Sequence, residues 1–202
     1  MKEVVVPGEM VAETTARMEN TYVENGKTYS KVLGLFDDEK KTLVALEGGW
    51  SPRIGDVVVG IVKAARNSVY EVNLDFFGRC LLIGSKFDRQ TYKPGDVIEA
   101  EVKNIEDRTT LILWRPRNLY GGTMLEIKPT KVPRVIGKNN TMIEQIAQIT
   151  KSSIVVGTNG LVWIKGGNVE LATTVIRKIE SEAHTSGLTE RVKQMLESSS
   201  RA

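Results

Sequence analysis

A glycine–lysine–asparagine–asparagine turn is the part of this chain whose residue types are best suited to chemistry with a ligand. Gly137-Lys138-Asn139-Asn140 follows a short apolar segment, Val132 to Ile136, and precedes a second apolar segment. Glycine lets a backbone approach a phosphodiester closely, and Lys138 offers that phosphate a flexible positive charge. Asparagine tolerates positive φ, so Asn140 can preserve the turn. These residues predict contact with a nucleic-acid backbone, the alternative being a helix connection whose polar side chains are solvated.

Positive charge is concentrated around that turn. The chain has 202 residues and a formal net charge of +3. The segment 103–138 contains eight basic and three acidic residues, so it carries +5 while the remainder sums to −2. A basic segment in a nearly neutral chain favours a polyanionic partner that is met on one face.

Composition and motifs exclude several classes of function. Cys80 is the single cysteine and His184 the single histidine, so we expect no disulfide within the chain, no metal site and no cofactor. The sequence has no phosphate-binding loop, nucleophile elbow or His-Glu metal motif, which argues against an enzyme. It also has no apolar run long enough to cross a membrane and no secretion signal, so we expect a cytoplasmic protein.

Residues 1–50 predict a small β-domain that docks onto another protein. Short strand-like runs alternate with turn signals, and Asn25-Gly26 lies between the strand-like segments Thr21–Val23 and Thr28–Leu35. An Asn-Gly pair between such segments is a strong hairpin signal, because both residues tolerate positive φ.

Residues 53–115 predict a five-stranded barrel. Gly55-Asp56 and Gly95-Asp96 each precede an alternating strand, and three further strands follow or lie between them. Five strands in about sixty residues fit an OB fold. The segment resembles the S-one-type OB domain, the RNA-binding repeat of the large bacterial ribosomal protein.

That resemblance implies an RNA-binding face, although its usual stacking aromatics fall on or near Ser68 and Glu71. Tyr70 is close by, but strand alternation leaves open whether it faces the barrel interior. Charge therefore carries the predicted contacts. The candidate RNA-binding residues of the barrel are Lys63, Arg66, Tyr70, Lys86, Arg89 and Arg108.

Residues 123–202 predict a KH domain with a helical extension. The order strand-helix-helix-strand-strand-helix, βααββα, is that of a type I KH domain, in which a Gly-x-x-Gly turn grips single-stranded nucleotides. Here Gly137 occupies the first glycine position and Asn140 the second. Arg134, Lys138 and Asn139 are candidate RNA contacts, and Thr141 with Glu144 predicts a capping box.

A second turn, Gly157-Thr158-Asn159-Gly160, makes the resemblance more specific. A KH domain with a weakened clamp and a Gly-x-Asn-Gly turn, placed after an S-one-type barrel, resembles the KH-containing RNA-binding cap subunit of the archaeal exosome. The Val6-Pro7-Gly8-Glu9 segment fits that family too. The resemblance implies that Gly157, Asn159 and Gly160 are structural, and Gly137 shapes its own turn.

The resemblance implies a non-catalytic subunit of a multidomain α+β fold. Three copies, mixed in some complexes with another cap subunit, would sit on a hexameric ring of phosphorolytic exoribonuclease subunits. The N-terminal domains would grip the ring, and single-stranded RNA would be fed in by its 3′ end for degradation or tailing. Two alternatives stay open from the residues alone. They are a free-standing RNA-binding protein in translation or ribosome-associated work, and a bracing subunit that touches RNA incidentally.

Overall fold

The computed structural model describes residues 2–84, 91–107, 109–183 and 187–199. The chain forms two compact units, Met1–Gly49 and Trp50–Ala202. The first unit is built of strands alone, whereas the second combines a closed β-barrel with a three-stranded sheet and helices. The predicted fold class, multidomain α+β, is confirmed.

The first unit contains two small antiparallel sheets with strand orders β1-β5-β6 and β2-β4-β3. Its strands are β1 Lys2–Val5, β2 Met10–Ala12, β3 Thr21–Glu24, β4 Lys27–Ser30, β5 Gly34–Asp37 and β6 Thr42–Ala45. Asn25 and Gly26 form the predicted two-residue hairpin turn, with φ of 49° and 76°. Such paired positive φ values match the twist of the flanking strands.

One strand prediction in this unit is wrong. The segment Thr28 to Leu35, predicted as a single strand, divides between β4 and β5, which belong to different sheets. Ser30 makes the break, because its hydroxyl donates to the Val32 carbonyl at 2.6 Å and accepts from the Val32 amide at 3.2 Å. Short polar side chains that bond to nearby backbone compete with strand pairing in this way.

The barrel of the second unit closes in the order β7-β8-β9-β11-β10, with β10 returning to β7. Its strands are β7 Val57–Arg66, β8 Val69–Asn73, β9 Arg79–Ile83, β10 Val97–Glu106 and β11 Thr110–Asn118. Alternate apolar side chains fill the interior, which includes Leu82 and Leu113. Burial raises the pKa of the Cys80 thiol to about 11, so Cys80 is a protonated core residue at neutral pH.

The remaining residues of this unit have the βααββα order of a type I KH fold, as predicted. The elements are β12 Thr123–Glu126, α1 Val132–Ile136, α2 Thr141–Thr150, β13 Ser153–Val156, β14 Leu161–Lys165, α3 Val169–Glu182 and the additional α4 Leu188–Ser199. The sheet order is β12-β14-β13. The apolar stripe of α3, which includes Val175 and Ile179, packs on α1, α2 and the sheet.

The predicted capping box does not form at α2. Asn140 is the N-cap residue, with φ of 62°, and it makes no side-chain capping bond. The Thr141 hydroxyl donates instead to the Lys138 carbonyl at 2.8 Å. The tight turn shifts the helix start by one residue, which removes Thr141 from the capping position.

The turn Gly157–Gly160 joins the KH fold to the barrel. Asn159 is 5% exposed. Its side-chain amide donates to the carbonyls of Val59 at 2.8 Å and Leu74 at 2.9 Å, and its oxygen accepts from the Val59 amide at 3.2 Å. A small apolar cluster of Val59, Leu119, Val155 and Trp163 surrounds this contact. The Asn159 side chain therefore replaces a missing strand partner for β7.

Asn159→Asp tests that junction. The carboxylate cannot donate to the two carbonyls, which would be left unpaired beside a buried charge, so we expect a loss of about 3 kcal/mol in the free energy of unfolding. Urea unfolding followed by tryptophan fluorescence measures it. Asn168→Asp is the matched control. The Asn168 side chain only accepts a hydrogen bond, which comes from the Leu171 amide at 2.9 Å at the start of α3. Equal unfolding midpoints for the two variants would contradict the prediction.

Candidate nucleic-acid interface

A shallow groove crosses the outer face of the barrel on strands β7, β8 and β9. Side chains alternate between the two faces of a strand, so the residues between the core positions point outward here. Ala64, Glu71 and Leu81 are direct cross-strand neighbours in one row, and Arg66, Val69 and Ile83 form the next row. The groove is lined by Ala64, Arg66, Val69, Glu71, Arg79 and Leu81.

Two arginines supply the charge of this groove. Arg66 and Arg79 are exposed, and neither forms an ion pair with another residue of the described ranges. Lys63 is exposed as well, but its Nζ lies 3.9 Å from Glu71 Oε1. An exposed ion pair of that length contributes little, so Lys63 can turn to another anion. Phosphate is a suitable ligand for this set of cations, since guanidinium groups bind it through paired donors.

The prediction that Tyr70 contacts RNA is wrong. Tyr70 is 7% exposed and lies in the barrel core, where its ring meets Tyr92 edge to face at 5.3 Å. Its neighbours Val69 and Glu71 take the outward positions on β8, so alternation directs the Tyr70 ring inward. A base cannot stack on it. The apolar part of the groove surface is aliphatic, formed by Val69 and Leu81.

The charge of segment 103–138 is partly neutralised in the folded barrel. Arg115 pairs with Glu101 at 3.3 Å and Arg117 pairs with Glu99, across β10 and β11. The Arg115 guanidinium also lies 4.1 Å from the centre of the Trp114 ring. Glu99 and Glu101 lie just before residue 103, so they were not included in the charge that was counted for segment 103–138.

The turn between α1 and α2 keeps an open geometry despite its second asparagine. Gly137, Asn139 and Asn140 have φ of 76°, 52° and 62°. A Cβ at Gly137 would lie 2.7 Å from Met142 Cβ, so close packing on α2 requires glycine there. The side chains of Arg134, Lys138 and Asn139 are exposed, as an RNA contact would need.

A second groove lies beside this turn, and both domains contribute to it. Its apolar floor comes from α1, α2 and β13, and its polar rim from the turn and from the barrel. The lining residues are Glu99, Arg117, Ile136, Asn140, Ile143, Ile154, Val155 and Val156. The barrel ion pair between Glu99 and Arg117 is therefore next to the KH turn.

Some predicted site residues cannot be placed, and others were missed. Lys86, Arg89 and Arg108 lie outside the described residues, as does His184, which was not predicted to be a site residue. Arg79 and Arg117 were not among the site residues predicted from the sequence. Side-chain alternation along β9 could have identified Arg79, because Arg79 is two residues from Leu81 and therefore lies on the same face of the strand. Arg117 was missed because Pro116 argues against extending the last strand beyond Trp114, whereas β11 continues to Asn118.

Within the ranges that the structure describes, no three side chains of histidine, cysteine, aspartate or glutamate come together as metal ligands. None of the helices in those ranges has the length and apolar character needed to span a bilayer.

The fold defines the class of multidomain proteins that combine an OB-type barrel with a KH fold. The family model described as "Exosome RNA binding protein RRP4 N-terminal domain" matches residues 2–46, and a KH domain model matches residues 122–170. A solved exosome complex RNA-binding protein aligns with a TM-score of 0.65 and 28% identity, over 76% of this chain and 98% of that one.

Whole-chain relatives place the protein more narrowly. Exosome complex component Rrp4 of Pyrococcus furiosus is 37% identical, over 96% of this chain and 83% of the relative. Rrp4 of Pyrobaculum aerophilum is 35% identical, over 97% of this chain and 93% of the relative. The chain belongs to the archaeal Rrp4 family.

Arg66→Gln and Arg79→Gln test the barrel groove. Each variant removes one cation from the groove, so we expect the log–log slope of single-strand affinity against salt to become shallower by about 0.7. Fluorescence anisotropy with a single-stranded oligonucleotide at several salt concentrations measures the slope. Arg177→Gln is the control, because Arg177 lies on α3 and pairs with Glu180 at 2.9 Å. Slopes equal to that control would exclude the groove as a phosphate site.

Asn140→Gly tests the second groove. Glycine accepts the positive φ and removes a side chain that a ligand would have to displace and immobilise, so we expect single-strand affinity to rise about two- to tenfold. Asn25→Gly is the matched control, because Asn25 has a positive φ of 49° in the hairpin of the first unit and does not line the groove. Anisotropy titrations of both variants provide the comparison. A fall in affinity for Asn140→Gly alone would show that the asparagine side chain itself binds.

Proposed function

We propose that the protein is a non-catalytic, RNA-binding cap subunit of an archaeal exosome. It captures single-stranded RNA and directs the 3′ end into a hexameric ring of phosphorolytic exoribonuclease subunits, for degradation or tailing. Three copies, alone or mixed with another cap subunit, bind one ring in the cytoplasm. The observation that carries the proposal is the arginine-lined groove on the barrel of a chain that belongs to the Rrp4 family.

The chemistry of the groove supports holding a strand rather than reading its sequence. Arg66 and Arg79 can bind phosphates, which are the same at every nucleotide. Val69 and Leu81 offer apolar contact but no hydrogen bonds to base edges. We therefore expect affinity that falls steeply with salt and varies little with sequence, as a subunit handling a moving strand requires.

The first unit offers a surface for the ring. Val4, Leu35 and Val44 are neighbours in one row across β1, β5 and β6. Val4 and Val44 are 57% and 59% exposed, whereas the opposite face of the sheet is buried in the unit's core. A row of exposed aliphatic side chains across a sheet is typical of a protein-docking surface.

The cap function predicts a measurable effect on the ring's activity. Adding the protein to a hexameric archaeal exoribonuclease ring should speed phosphate-dependent degradation of a single-stranded RNA at low RNA concentration. The double variant Arg66→Gln/Arg79→Gln should still assemble but should stimulate less, because capture is weakened. If the protein stays a monomer, binds RNA tightly and does not assemble with the ring, the result would instead support a free-standing RNA-binding protein.

The double variant Val4→Lys/Val44→Lys tests the docking surface. Two charges in the apolar row would be desolvated on docking, so we expect loss of assembly with the ring and unchanged RNA affinity of the free subunit. Native mass spectrometry of mixtures with the ring reports assembly. Val23→Lys, on the other sheet and 43% exposed, is the control. Full assembly of the double variant would place the docking surface elsewhere.

A further inference from the structure

Phe77 is a large apolar side chain that the fold leaves in solvent. It is 96% exposed, more than any other large hydrophobic side chain in the described ranges. It lies between β8 and β9, immediately before the strand that carries Arg79. The core of the barrel does not use it, and the groove described above does not include it.

The loop around Phe77 is held in one conformation by contacts on both sides. Before it, the Asp75 amide donates to Asn73 Oδ1 at 3.1 Å, and the Phe76 ring packs edge to face on Trp50 at 5.8 Å. Trp50 is itself fixed, since its Nε1 donates to Asp56 at 3.0 Å. Phe76 therefore anchors the loop, whereas the Phe77 ring lies in solvent.

The loop is also held on the C-terminal side of Phe77. The Gly78 amide donates to the Phe76 carbonyl at 2.9 Å, so Phe77 is the central residue of a γ-turn. The Arg79 amide donates to the Thr109 carbonyl at 2.8 Å. A Cβ at Gly78 would collide with that same carbonyl, so the loop lies close to the β10–β11 hairpin. The Phe77 ring is therefore presented before any ligand arrives.

We propose that Phe77 is a stacking platform for one unpaired base of the RNA strand whose phosphates lie on Arg66 and Arg79. This inference rests on the proposed function and adds a base contact to it. Phe77 is two residues from Arg79, so their Cα atoms lie within about 7 Å of each other. A phosphate on Arg79 thus brings an adjacent base within reach of the ring.

The chemistry of the loop favours a base over a protein partner. The direct neighbours of Phe77 are Gly78 and Phe76, whose ring packs on Trp50, and the charged Asp75 and Arg79 flank them. Phe77 is therefore the one large apolar side chain of this loop that is exposed. A protein interface needs a patch of several hundred Å², whereas a base needs one flat ring face. Any base can stack on an aromatic ring, so this contact can be made by each base in turn as a strand moves.

The test compares two oligomers of about 12 nucleotides, within the site sizes of OB folds. One is a fluorescent oligoadenylate, and the other is a ribose-phosphate oligomer of the same length without bases. Anisotropy is measured for the full chain, for Phe77→Ala, for Phe77→Trp and for the control Tyr120→Ala, whose ring is 66% exposed outside this loop. Because Phe77 contacts so little, its variants should unfold at the wild-type temperature.

We expect Phe77→Ala to bind the oligoadenylate about 5- to 150-fold more weakly, with an unchanged salt slope and unchanged affinity for the abasic oligomer. Phe77→Trp and Tyr120→Ala should bind the oligoadenylate at least as well as the wild type. Unchanged oligoadenylate affinity in Phe77→Ala, or an equal loss on both oligomers, overturns the inference. Lost assembly with a protein partner at unchanged RNA affinity also overturns it. A wild-type chain that binds neither oligomer overturns the proposed function too.

Discussion

The hydrogen bonds of one buried asparagine side chain join the barrel and the KH fold of the second unit. Asn159 satisfies three backbone groups of the barrel, so the KH fold is held against β7 by directional bonds rather than by apolar contact alone. The Glu99–Arg117 pair of the barrel borders the groove beside the KH turn. A buried amide is expensive to leave unpaired, so this arrangement is strongly specified.

Aromatic and cationic side chains lie on opposite faces of the barrel strands. Tyr70 and Tyr92 fill the interior, where their contact stabilises a small core, and arginine and aliphatic side chains occupy the outer face. Within β10 and β11 the arginines are largely paired with glutamates, whereas Arg66 and Arg79 are not paired with any described residue. Within the described part of the barrel, the β7–β9 face therefore keeps two exposed arginines without an ion-pair partner.

The KH turn shows that backbone geometry and ligand access are separate requirements. Asn139 and Asn140 adopt positive φ, which keeps the connection between α1 and α2. The Asn140 side chain nevertheless lines the adjacent groove, where glycine would leave it open. Substituting asparagine for glycine thus preserves the fold at this turn and alters the surface that a strand would meet.

Sequence pattern alone predicts the Asn25-Gly26 hairpin and the five-stranded barrel followed by βααββα, but not the division of Thr28–Leu35 between two strands of the first unit. These predicted features depend on the alternation of apolar residues along strands, on their helical spacing and on the turn residues. Each of these patterns involves only a few neighbouring residues. The sequence did not determine the direction of Tyr70, the pairing of Arg115 and Arg117, or the contribution of Arg79 to a groove. Those depend on strand register and barrel closure, which bring together residues far apart in the chain. The turn that first suggested a phosphate clamp was identified from residue types, but only the tertiary structure placed Glu99 and Arg117 beside it.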